Sequence, residues 1–308
     1  SIIAQCTRTT SAQGGACCDI TLWGPTNVDV QVKHSHTLSN KKFNVALQQG
    51  PAVYIGMGTL LEGDADNNDR VSIIDFSILR TTYGQTCPPC DKRADFNEDN
   101  VINILDFSLL RMNYAKVGPI TVLGFRPRGV QALTSAIGDG VLLKLVPGSI
   151  VVPPGAVVPV DVTLEAGQQP VDGADVYLDF DPRYLVIVDE LGNPADAIVP
   201  GAAFPDLLQN SVDNALGRIN FSAGILVGDA PTGTLTIARF HVSQRQSPYG
   251  GWTTISFAQQ RPRQTEVAYA GESVLGGTAS GYVNAPSLRL WLPWATKDLP
   301  IPLPIVTQ

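Results

Sequence analysis

The chain has 308 residues, a net charge of −7, and 16% charged against 44% hydrophobic residues, so it can bury real cores in two or three domains. Its 29 glycines and 23 prolines make it turn-rich, which fits neither a helical bundle nor a coiled coil and falls short of a low-complexity chain. No basic surplus exists to displace counterions from phosphates, which argues against a nucleic-acid partner, and three histidines leave little for triad or metal-hydrolase chemistry.

The sequence starts at Ser1 rather than Met, which suggests a processed N-terminus and an exported, extracellular protein. Cys6, Cys17, Cys18, Cys87 and Cys90 all fall in the first third, and their odd number leaves one thiol free or paired between chains. Cys87-Pro-Pro-Cys90 lacks the strand–helix–strand surroundings of a redox motif and reads as a local disulfide or two loop thiols. Residues 1–60 read as a small β module with short strands at Ile20–Trp23, Val28–Val32, Asn44–Leu47 and Val53–Ile55. His34-Ser-His36 has the alternation of a metal pair, but no third ligand is evident in the sequence, so it reads as a structural strand end.

The segment from Asp64 to Arg80 recurs 31 residues later as Asp95 to Arg111. Each copy opens with oxygen-bearing side chains at alternate positions and closes with an acid at position 12, the spacing of a calcium loop. Ca²⁺ is a hard ion that takes six to eight oxygens. Loop one offers Asp64, Asp66, Asn68, the Arg70 carbonyl, Ser72 and Asp75; loop two offers Asp95, Asn97, Asp99, the Val101 carbonyl, Asn103 and Asp106. Two ions are expected. Position 6, normally Gly, is Asp69 and Asn100, residue types that tolerate a left-handed backbone. A helix should follow each loop, with Phe76, Leu79 and Tyr83 on one apolar face and Phe107, Leu110 and Tyr114 on the other, the two faces packing together.

Residues 61–116 with these paired Asp-closed loops resemble a dockerin, the duplicated calcium module of bacterial cellulosomes and other cell-surface assemblies. The resemblance implies that loop positions 10 and 11 and the following helix meet a partner: Ile73, Ile74 and Arg80 in copy one, Ile104, Leu105 and Arg111 in copy two. Exposed apolar pairs beside a charged loop also want covering on physical grounds.

Residues 117–139 read as a linker in which Ile120–Phe125 is too apolar for free coil, so it should be stiff or docked and keep the dockerin off its own chain's sandwich. From residue 140 helical periodicity gives way to short β runs, Val157–Leu164, Ala174–Phe180, Arg218–Ser222, Leu235–Val242 and Thr253–Phe257, between glycine-marked turns, the pattern of a sandwich or barrel. The order of Val151-Val-Pro-Pro-Gly-Ala-Val-Val-Pro, Gly173-Ala-Asp-Val-Tyr-Leu-Asp-Phe-Asp-Pro, Gly217-Arg-Ile-Asn-Phe-Ser-Ala-Gly and Gly233-Thr-Leu-Thr-Ile-Ala-Arg-Phe over 140–285 is similar to a bacterial cohesin, which implies a jelly-roll β-sandwich that binds a dockerin on one sheet face. Period two then turns Ala174, Val176, Leu178 and Phe180 inward and Asp175, Tyr177 and Asp179 outward. Asp175 falls where the family often has an acid facing its partner, with Tyr177, Asn220 and Leu226 around it.

Residues 286–308 form an apolar, Pro-rich tail with Trp291 and Trp294; Leu292-Pro293 lacks the Thr-Gly of a sorting signal. No run of 18 apolar residues occurs, so no membrane span is expected. The fold expected is mainly β and multidomain: a small β module, an α-helical dockerin with two calcium loops, and a jelly-roll β-sandwich resembling a cohesin. With no nucleophile–base pair, phosphate loop or zinc spacing, the function expected is not enzymatic. It is secreted, calcium-dependent assembly, the dockerin of one copy binding the cohesin of the next in a head-to-tail filament. The alternatives are an adaptor that links other proteins to a cell surface, and a carbohydrate-binding surface protein that stacks sugars on Tyr177 and the Trp residues.

Overall fold

The structure is a computed structural model that describes residues 4–122, 140–246 and 251–284, apart from residues 12, 13, 22, 23, 25, 49 and 51. Residues 123–139 of the expected linker 117–139 and the whole tail from 286 to 308, with its two tryptophans, lie outside the described residues.

Near the N-terminus, β1 (Thr26–Val32) pairs antiparallel with β2 (Asn40–Leu47). Val28, Val30 and Val32 alternate with polar residues and line the half-buried face of β1. The third strand of this sheet, β3 (Ile120–Thr121), comes from beyond the helices and joins β2 in parallel. The apolar character at Ile120 is thus spent on sheet pairing, whereas Val53–Ile55 forms no strand and Tyr54 is 96% exposed. Ile20 and Thr21 form none either, and Leu22 and Trp23 lie outside the described residues. Cys6 pairs with Cys18 and Cys87 with Cys90, which leaves Cys17 as an exposed thiol.

Two ten-residue helices follow the loops, α1 (Ile73–Thr82) and α2 (Ile104–Asn113). They begin three residues before the apolar spacing marks them, because Ser72 and Asn103 act as N-caps. Asp75 and Asp106 reach back from the third helical position to close a capping box. Phe76 and Phe107 pack edge to face with ring centroids 6.1 Å apart, so the two apolar faces meet as the spacing predicts. Leu38, Val71, Leu79, Phe96, Ile102 and Leu110 complete this small core.

The rest is a two-sheet sandwich. Its strands are β4 (Val141–Val146), β5 (Ser149–Ile150), β6 (Val158–Gly167), β7 (Gly173–Phe180), β8 (Leu185–Val188), β9 (Val199–Pro200), β10 (Asp206–Asp213), β11 (Arg218–Gly224), β12 (Gly233–Gln244), β13 (Thr253–Phe257), β14 (Glu266–Tyr269), β15 (Glu272–Ser273), β16 (Leu275–Ala279) and β17 (Gly281–Val283). One sheet runs β10-β11-β7-β13-β17-β5 with β14 paired to β7 and β15 to β14; the other runs β16-β4-β6-β12-β8 with β9 on β12. Val176, Leu178, Phe221 and Ile255 from the first sheet meet Val162, Leu164, Phe240 and Val242 from the second in one continuous core. Among the described residues no helix is long and apolar enough to cross a membrane.

Candidate functional site

In loop one Asp64 and Asp75 are fully buried, and carboxylate oxygens of Asp64, Asp66 and Asp75 lie within 4.8 Å of one another. Backbone amides hold them in place: Asn68 N–H donates to Asp64 Oδ1 (2.9 Å), Asp66 N–H to Asp75 Oδ1 (3.1 Å) and Ser72 N–H to Asp75 Oδ2 (2.7 Å). Asp69 takes the left-handed turn at φ 68° and Asn100 its counterpart at φ 67°, the conformation that position 6 demands. The Asp69 carboxylate is engaged by Ser39, from N–H and Oγ, both at 2.6 Å. Lys33 Nζ reaches Asp64 Oδ2 at 2.5 Å, so the N-terminal sheet rests on loop one. Arg70 and Asn68 are exposed, and Ser72 Oγ accepts from Ile74 N–H as the helix cap.

Loop two repeats the arrangement. Asp106 Oδ1 accepts from Phe96 N–H (2.8 Å), its Oδ2 from Asn103 N–H (3.0 Å), and Asp99 Oδ1 from Val101 N–H (2.9 Å). Asn97 Oδ1 accepts from Asp99 N–H (3.1 Å) and Asn103 Oδ1 from Leu105 N–H (2.7 Å). Asp95 Oδ1 is buried without a hydrogen-bond partner. Burial pushes the Asp106 carboxyl up to about 8 against the pull of those amides, and raises Asp95 and Asp66 as well. Convergent buried carboxylates with an orphaned oxygen are a donor set short of positive charge, and hard oxygen donors in this number fit Ca²⁺.

Beside loop two, α2 lies across β11, β7 and β14 of the sandwich. Ile104, Phe107, Ser108 and Arg111 make one stripe at i, i+3, i+4 and i+7. Asp175, the third residue of β7, is 1% exposed and accepts from Tyr83 Oη (2.8 Å) and from Ile104 N–H (3.2 Å) at the N-terminus of α2, where the helix dipole favours an anion. Asp172, just ahead of β7, accepts from Ser108 Oγ (2.7 Å) and Ala270 N–H (2.7 Å) and pairs with Arg111 Nη1 at 2.5 Å. Arg111 also donates to the carbonyls of Ile225 and Gly228, and Arg261 pairs with Asp99 of loop two at 2.9 Å. Leu208, Leu226 and Ala268 of the sandwich close over the helical core. Two glycines admit the helix: a Cβ on Gly224 would stand 2.3 Å from Phe107 Cε1, and one on Gly173 2.7 Å from Ile104 Cδ1.

The two modules of one chain are therefore docked, against the expectation that the linker keeps them apart. The expected partner residues divide. Ile104, Arg111, Asp175 and Leu226 sit in the joint, with Leu105 half-buried at its edge. Tyr177 points away from the sandwich core as period two requires, yet is 3% exposed because this face is covered; its Oη lies 3.4 Å from Gln209 Oε1. Asn220 accepts from Arg263 Nε (2.7 Å) within the sandwich. Ile73 and Ile74 are 56% and 54% exposed, and Arg80 is exposed too. Sequence reasoning missed Asp172, Ser108 and Tyr83. The signal for Ser108 was present, since Ser77 stands one repeat earlier on the matching stripe.

Residues 62–114 match the family model of the dockerin type I domain, so the chain carries a dockerin. No curated protein matches the chain. Among solved structures it is similar to the type II cohesin dyad from the adaptor ScaA scaffoldin of Acetivibrio cellulolyticus, at 18% identity and a TM-score of 0.39 over 48% of this chain and 49% of that one. A type II cohesin domain from the cellulosome of the same organism is 19% identical, with a TM-score of 0.37 over 47% of this chain and 95% of that chain. A non-cellulosomal cohesin from the archaeon Archaeoglobus fulgidus is 15% identical, with a TM-score of 0.35 over 48% and 92%.

Proposed function

We propose that this protein is an extracellular, calcium-dependent assembly protein that carries both halves of one joint, a dockerin plug and a cohesin-like socket, and does no chemistry of its own. The observation that carries the reading is the seating of the α2 stripe on the β11-β7-β14 face, with Asp175 on the helix N-terminus and the Asp172–Arg111 ion pair buried beside it. Two calcium ions, one in each loop, supply the positive charge that the buried carboxylates lack and fix where α1 and α2 start. The first is held by Asp64, Asp66, Asn68, Arg70, Ser72 and Asp75, the second by Asp95, Asn97, Asp99, Val101, Asn103 and Asp106.

A joint made within one chain can be exchanged between chains. A tether gives an effective concentration near ~mM, so the closed form dominates in dilute solution. Exchange at higher concentration makes heterologous contacts that string copies head to tail. Light scattering in saturating calcium should show a mass near one chain when dilute, rising with concentration, and one chain throughout in chelator or in Ile104→Asp. A mass fixed at one chain up to millimolar protein would overturn the filament. The exposed Ile73, Ile74 and Arg80 favour the adaptor as a second reading, because this copy-one counterpart of the docked stripe stays bare among the described residues. Of the expected sugar-stacking residues, Tyr177 is covered and Trp252 is 44% exposed, while Trp23, Trp291 and Trp294 lie outside the described residues.

A further inference from the structure

His34 and His36 follow the end of β1 and meet the second calcium loop. His36 is buried, its side chain 8% exposed, with Nδ1 2.6 Å from Glu62 Oε2 and Nε2 3.4 Å from Glu98 Oε1. His34 Nε2 lies 3.9 Å from the same Glu98 oxygen, and the two imidazoles stand edge to face with centroids 4.5 Å apart. Ligand atoms of His34, His36 and Glu98 all fall within 4.8 Å of one another. The third ligand, absent from the neighbourhood of His34-Ser-His36 in the sequence, is thus delivered by a loop 62 residues on.

We propose that His34, His36 and Glu98 form a binding site for a divalent transition metal of the zinc class, distinct from both calcium loops, that pins the end of β1 to loop two. Four features support it. Zn–N bonds of ~2.0–2.1 Å in a tetrahedral site put neighbouring ligand atoms roughly 3.3 Å apart. The His36–Glu98 separation of 3.4 Å already has that span, and the His34–Glu98 separation of 3.9 Å closes with a small swing of two side chains that are 50% and 67% exposed. Glu62 stands behind His36 as the carboxylate that fixes Nδ1–H and leaves the Nε2 lone pair facing Glu98, the arrangement that orients metal-bound histidines.

Glu98 is the fourth residue of loop two, a position that calcium does not use, and its φ of 58° is a left-handed turn unfavourable for most side chains. Two imidazoles and one carboxylate suit zinc, copper or nickel rather than calcium. Three protein ligands leave a fourth position for water, and the role that follows is a staple between the N-terminal sheet and the dockerin. Without the metal, burial opposes the charge on His36 while Glu62 and Glu98 more than offset it, so the competing occupant of Nε2 is a proton.

The test uses the full chain in saturating calcium, free of chelator, in a Cys17→Ser background that removes the exposed thiol. Co²⁺ is the spectroscopic probe and Zn²⁺ the competitor. The expected result is one Co²⁺ per chain with the strong visible bands of a low-coordinate site, displaced by one Zn²⁺. His34→Ala and Glu98→Gln, both at exposed side chains that the fold does not need, should abolish those bands. Glu62→Gln should weaken binding by about 10–100-fold. Weak aquo-ion bands alone, or Zn²⁺ binding of equal strength in the wild type and in both His34→Ala and Glu98→Gln, would overturn the site and leave a protonated His36.

Discussion

Burial pushes the Asp175 carboxyl up to about 6 against the hydrogen bonds from Tyr83 and the Ile104 amide, with the nearby Glu266 adding to the rise. Tyr83 and Tyr177, which face it, are held well above the ordinary phenol value by the same burial and stay protonated. Undocked, Asp175 returns to an ordinary carboxylate value of ~3.9. Its protonation therefore favours the joint, fully below ~3.9, and that contribution is lost as pH rises through about 6. Docking at saturating calcium should tighten about fourfold from pH 7.5 to 5.5. The urea midpoint for exposing Tyr177 would report it, and Asp175→Asn should flatten the dependence. Gly224→Ala sets a methyl against the Phe107 ring, 2.3 Å away, and should weaken docking by ~1–3 kcal/mol while the isolated melting of the sandwich is unchanged. Equal loss of both transitions would place the damage in the sheet instead.

The two helices are near copies, yet among the described residues only α2 is covered by the sandwich. Ile104 is fully buried where its counterpart Ile73 is 56% exposed. Ile104→Asp should therefore undock the modules, since an unpaired buried charge costs ~3–5 kcal/mol. Ile73→Asp should leave the joint intact, and limited proteolysis of the linker would separate the two cases. A joint that Ile73→Asp breaks equally would mean that the two helix faces trade places. The repeat was legible because calcium chemistry fixes residue types at fixed spacing, and the sandwich strands because period two survives in Gly173–Phe180 and Thr253–Phe257. Four things were not legible. Ile120–Thr121 is a strand only because β2 offers it an edge, Val53–Ile55 finds no such edge, and the choice of α2 over α1 depends on glycines in another module. The His34–His36–Glu98 cluster escaped for the same reason: its third member is brought in by the packing of Leu38 into the dockerin core.

At the scale of the molecule, the N-terminal sheet and the sandwich both lean on the paired loops and helices. The N-terminal sheet holds loop one through Lys33 and Ser39, the sandwich holds loop two through Arg261, and α2 joins the sandwich through Asp172 and Asp175. Helices of ten residues are marginal alone in water, so removing calcium should loosen α2 and bare the sheet beneath it. Hydroxyl-radical footprinting of the full chain reads this at Tyr177, which is 3% exposed, with the sandwich-core residues Phe221 and Phe240 as internal references. Tyr177 should be protected in calcium and labelled after chelation while Phe221 and Phe240 stay protected in both. Tyr177 labelled to the same extent with and without calcium would contradict it.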